Sequence, residues 1–154
     1  MGPVPENQAP TALPEAPDAA GEQEFDPASI SPELFQSTKI DVQHFIAELN
    51  RIIRAKDYHA WVSNLEESYF QTISSADFLQ QLSESAFLQS RHIVLKTPQD
   101  YFFQVVVPSR ANSRVDDIEF ISPTRVKAYT VSSGGQRLRL YDLEHSGGGW
   151  KIIN

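Results

Sequence analysis

The chain has no cysteine, which removes disulfides, thiolate zinc sites and thiol nucleophiles together. The compartment stays open, because disulfide-free proteins occur on both sides of a membrane. Lysine and arginine are missing from residues 1 to 37, where seven acids stand: Glu6, Glu15, Asp18, Glu22, Glu24, Asp26 and Glu33. These account for the whole net charge of −7 and leave thirteen acids against thirteen bases from residue 38 onward. A neutral folded part lacks the dense Lys/Arg surface that phosphates select for, so nucleic acid is not an expected partner. No apolar run approaches the ~20 residues that span a bilayer, and the first residues lack the basic-then-apolar order of a signal peptide. Gly2 is followed by Pro3, with Glu6 where a hydroxyl is required, so the myristoylation pattern fails. There is no Gly-x-Ser-x-Gly elbow, and Gly147 to Gly149 precede a strand, not the helix that would cradle phosphate. His44, His59, His92 and His145 stand in no ligand spacing, so neither a metal nor a cofactor is expected.

Seven of the ten prolines fall in residues 1 to 37 among Ala, Glu and Gln. So few large apolar groups cannot offset ordering entropy, and the expectation is a disordered, extended acidic tail over 1–37 that spaces a tether from the domain. Phe25, Ile30, Leu34 and Phe35 are the residues that could dock at its end. One domain is expected over 38–154.

From Thr38 the apolar residues Val42, Phe45, Ile46, Leu49, Ile52 and Ile53 recur at helical spacing, with acid early and Arg51, Arg54 and Lys56 late. A second amphipathic helix is expected from Tyr58, Trp61, Val62, Leu65, Tyr69 and Ile73. The Ser74-Ser75-Ala76-Asp77 capping box opens a third, through Phe78, Leu79, Leu82 and Ala86 to about Ser90. Thr97-Pro98-Gln99-Asp100 is another capping box, which predicts a short helix over 97–107 despite its strand-forming residues. Pro108 is expected to end it, and Ser109 to Arg114 to form a polar loop.

The remainder alternates as strands do. Val115 to Ile121, Arg125 to Val131, Arg137 to Tyr141 and Trp150 to Ile153 are separated by Ser122-Pro123, Ser132-Ser133-Gly134-Gly135 and Ser146 to Gly149. The expected class is α+β, helices first and then an antiparallel sheet. Strict alternation puts Val126, Ala128, Thr130, Leu138 and Leu140 on the core side. Arg125, Lys127, Tyr129, Arg137, Arg139 and Tyr141 then lie on a basic, aromatic outer face.

This order of elements, with the Asp57-Tyr58-His59-Ala60-Trp61 junction and the closing Trp150-Lys151-Ile152 strand, resembles the nuclear transport factor two-like superfamily, a cystatin-like α+β cone. The resemblance covers Thr38 to Asn154. It implies a curved sheet closing over the helices, with a pocket at the open end that some members use for isomerase or dehydratase chemistry and others for binding alone.

Two functions follow as expectations. In the first, the outer-face residues Arg125, Lys127, Tyr129, Arg137, Arg139 and Tyr141, or the cone pocket, bind a protein partner or a small polar ligand without catalysis. Arginine pairs with carboxylates bidentately and tyrosine adds rigid apolar area. In the second, Asp142 turns inward as a general base beside Tyr58, Tyr69 or Tyr101, its basicity raised by desolvation. A β-bulge would reverse the alternation, sending Asp142 to solvent and Leu143 inward. A homodimer through the sheet belongs to the first reading. The proline-rich tail resembles the spacer of an exported, periplasmic or lipid-anchored bacterial protein. Met1-Gly2 would then replace a missing leader that tethered it to the membrane. The alternative is a cytoplasmic protein.

Overall fold

Ser31 and Pro32 start the longest helix. The serine hydroxyl accepts the Leu34 N–H at 3.1 Å, and proline suits the first turn, where its missing N–H would have no partner anyway. The structure is a computed structural model and describes residues 25–154; the part of the expected tail at 1–24 lies outside the described residues. Helix α1 is Pro32–Arg54, so it begins ahead of the expected start at Thr38. Phe25, Ile30 and Phe35 pack on the core, with the Phe35 ring 6.4 Å from that of Phe120, while Leu34 stays exposed.

Val42, Ile46, Leu49 and Ile53 are buried along one face of α1, each contributing about 1.5–3 kcal/mol. The helix ends with Lys56 at φ 57°, its N–H on the Ile53 carbonyl and the Asp57 N–H on that of Ile52. This is a Schellman cap with lysine where glycine is usual.

The expected second and third helices are each broken in two: α2 Tyr58–Val62, α3 Glu67–Ser74, α4 Ala76–Ser83 and α5 Ala86–Ser90. Polar caps make the breaks. The Asp57, Glu66, Ser75 and Ser85 side chains each accept the backbone N–H that their helix start leaves free. α5 closes on a second Schellman cap, with His92 at φ 58° and the Ile93 N–H on the Leu88 carbonyl at 3.0 Å. Leu79, Leu88 and Leu95 form a small core of their own beneath α4 and α5.

The capping box at Thr97 opens a helix as expected, yet Pro108 does not end it. Helix α6 (Pro98–Tyr101) passes through a π turn, Phe102–Val106, into α7, Val107–Arg110. The Val107 N–H reaches back to the Phe102 carbonyl, and this wider turn makes room for a proline that has no N–H to give. Arg110, expected in a loop, therefore sits on the last helical turn.

Four strands, β1 Asp117–Ser122, β2 Arg125–Val131, β3 Arg137–Ser146 and β4 Gly149–Ile152, pair antiparallel in chain order. Val126 and Leu143 are fully buried, facing a core that contains the α1 stripe, Trp61, Phe102, Ile118 and Ile152. The far edge of β4 is occupied by the chain at 64–66: Leu65 bridges Ile152 in parallel, and the Glu66 N–H donates to the Ile152 carbonyl at 2.8 Å. The fold class is α+β, helices packed on one antiparallel sheet. Among the described residues no helix is long and apolar enough to cross a membrane.

Candidate functional site

Between β2 and β3 the register slips. Ala128 pairs with Tyr141 but Tyr129 pairs with Arg139, so Leu140 is the extra residue of a β-bulge. Everything after it changes side. Tyr141, expected on the outer face, is buried at 7% exposure, and Leu143 follows it inward. Asp142 goes outward, opposite Lys127 and within 3.4 Å of the Arg139 guanidinium. The expected pocket base is thus an ion-paired residue of the outer face. Leu138, expected in the core, is 45% exposed, because the hairpin tip extends beyond the helices.

The outer face carries the other five expected binding residues together with acids that the single-strand pattern did not show. Arg125 pairs with Glu144 at 3.4 Å. Arg137 lies 3.7 Å from Asp117 and 3.5 Å from Glu119, its guanidinium 3.8 Å above the Tyr129 ring. Tyr129 donates to Glu119 at 2.8 Å, and Lys127 stands between Glu119 and Asp142 in the register. The face is a ladder of alternating sign, not a basic patch. Exposed pairs of this kind contribute at most about 1 kcal/mol each, and their cations are already matched.

Among the described residues no group of three or more His, Asp or Glu is placed to hold a metal ion. Asp116 has another role. It accepts from Arg114 at 2.7 Å, from the Val131 N–H at 2.7 Å and from Thr130 at 3.1 Å, and these bonds hold its carboxyl far below the usual range. It fastens the open end of the β1–β2 pair.

At the other side of the bulge lies a partly enclosed cavity of about 150 Å³, lined by Trp61, Tyr69, Tyr101 and Tyr141 with Phe78 and Arg110. Arg139 and Asn154 are also in its lining; no Asp, Glu or His is. Two of the expected tyrosines, Tyr69 and Tyr101, are therefore brought together. Tyr58 is not: its ring packs on His59, Trp61 and Phe102. Burial pushes the Tyr141 hydroxyl up to about 12 and the Tyr69 hydroxyl well above its ordinary value, with Tyr101 beside Tyr69 adding to the effect.

Two buried polar atoms of residues in this lining have no hydrogen-bond partner among the described residues, Trp61 Nε1 and the Tyr141 hydroxyl. Ser113 approaches Tyr141 without forming a hydrogen bond to it, and its own hydroxyl donates to the Arg110 carbonyl at 3.2 Å. The Arg110 guanidinium lies 5.9 Å from the Tyr141 ring centroid and has no ion pair among the described residues. Sequence reasoning did not place Trp61 or Arg110 at a site; the inward turn of Tyr141 follows from the β-bulge it had weighed, whose signal is the step of three from Leu140 to Leu143, where alternation requires two.

Two larger open grooves flank α4 and α5. One, about 760 Å³, runs between Leu79 and Val94, and the other, about 610 Å³, between Phe87 and Phe103. Both are mostly apolar and solvent-open; the larger also has Gln80, Ser83, Glu84, Gln89, His92 and Lys96 in its lining.

No protein-family model matches the chain, and no solved structure matches it. The chain is similar to an uncharacterized lipoprotein of Treponema pallidum (strain Nichols), with 40% identity over 119 residues, 77% of this chain. The match covers 62% of that protein, so the chain spans less than two thirds of the relative's length.

Proposed function

We propose that the chain is the non-catalytic binding domain of an exported, lipid-anchored protein, with the cone of the nuclear transport factor two-like superfamily as its fold. The observation that carries the binding reading is the lining of the partly enclosed cavity. Aromatic rings, donors without a partner among the described residues and an Arg110 without an ion pair among them can hold a ligand, while no Asp, Glu or His side chain of the described residues stands in the lining to move a proton. Asp142, the residue an isomerase would need inside, is turned to the outer face and matched by Arg139. Export and anchoring are supported by the relative, whose description is a lipoprotein, and by the proline-rich acidic stretch at 1–37, suited to spacing a domain from a bilayer. Helices followed by a four-stranded antiparallel sheet support the superfamily.

Fractionating the source cells tests the anchor. The native protein should sediment with membranes, resist extraction by salt, dissolve in detergent and take up labelled palmitate. Unlabelled protein in the soluble fraction would reject the tether.

A further inference from the structure

A buried donor without an acceptor is costly unless something arrives to accept from it. Two residues that line the cavity between α3, α6 and β3, Trp61 and Tyr141, carry such donors, and Arg110 beside them has no ion pair among the described residues. The remaining wall of the cavity is aromatic. We infer that this cavity binds a small organic carboxylate with an apolar body, the carboxylate held by Arg110, Trp61 and Tyr141 and the body lying against Tyr69, Phe78 and Tyr101. This rests on the binding reading given above and names its ligand class.

Three features select this class. The planar guanidinium fork matches a carboxylate, and no Asp or Glu side chain of the described residues lies in the lining to compete for it. A phosphate, bulkier in charge and strongly hydrated, is best met by several cations or by the backbone N–H groups of a helix start. Arg110 instead lies at the end of α7, and Arg139, the other cation of the lining, is matched by Asp142. The volume of about 150 Å³ falls below the roughly 300–1,000 Å³ of sites for drug-sized molecules, so the body is short.

The test is calorimetric titration of the full chain with butyrate, isovalerate and benzoate, and with butyramide, isovaleramide and benzamide as neutral copies of the same shapes. At least one acid should bind about tenfold or more tightly than its amide. Arg110→Gln should abolish that preference, and Arg137→Gln, on the outer face, should leave it. The acid-against-amide comparison is made on the native protein, so it stands even if Arg110→Gln fails to fold. Equal binding of acids and amides would overturn the inference, as would no heat from any acid at about ten millimolar, the weak end of the affinity scale. Proton NMR of the same samples separates the two readings: an acid bound and converted to another compound would sink the non-catalytic function and leave the carboxylate site standing.

Discussion

Tyr141 is where the bulge of β3 becomes chemistry. Its ring helps fill the core, and its hydroxyl arrives there with nothing to bond, at a cost of roughly 1–3 kcal/mol for a buried polar group. Tyr141→Phe should therefore raise the stability of the ligand-free protein by about 1 kcal/mol in urea unfolding, and weaken carboxylate binding. A destabilised variant would show that the hydroxyl is bonded after all. Strict alternation placed this residue on the wrong face, because one inserted residue reverses every side chain beyond it. The partners of Arg137 escaped for another reason. Asp117 and Glu119 belong to a neighbouring strand, and pairing across strands is set by register, which one strand's pattern does not contain.

At the scale of elements, caps decide where the chain turns. Ser31→Ala should lower stability by about 1 kcal/mol, measured by chemical denaturation. A silent substitution would mean that α1 starts nearer Thr38. Lys56→Gly should raise stability by a few tenths to about 1 kcal/mol, since lysine holds a left-handed φ of 57° there and glycine does so without a Cβ clash. A loss would mean that the lysine stem makes packing contacts worth more than that strain. The α1 stripe, the capping box at 97–100 and all four strands were legible, because periodicity and caps are local signals; the cap expected at Ser74 lies one residue on, at Ser75, while Ser74 ends α3 and donates to the Phe70 carbonyl. The breaks at 63–66 and 84–85 and the π turn were not. In the first, Leu65 keeps helical spacing but is buried by pairing with Ile152, a partner far along the chain. In the last, Pro108 is absorbed by widening one turn, which no residue pattern announces.

For the molecule as a whole, the partly enclosed cavity joins α3, α6 and β3, so its tyrosines report on the entire fold. Tyr69 and Tyr141 resist ionisation in the folded state. Their folded values lie above the unfolded value of about 10, so their contribution to stability is fully present below that pH and is lost as pH rises toward 12. An alkaline titration followed at 295 nm should show them ionising last among the five tyrosines, together with loss of the circular dichroism signal. Ionisation of all five around pH 10 with the signal intact would mean that water reaches the cavity. The seam between 63–66 and β4 has a consequence in biosynthesis. Lys151 donates to the Ser63 carbonyl from 88 residues away, and Ile152 is paired on both edges, by Leu143 and by the chain at 64–66. No shorter nascent chain contains both sides of this seam, so the domain cannot close until its last strand has left the ribosome. A chain exported in the unfolded state would gain from that delay: this domain stays threadable until its fourth strand has been made, and only then locks.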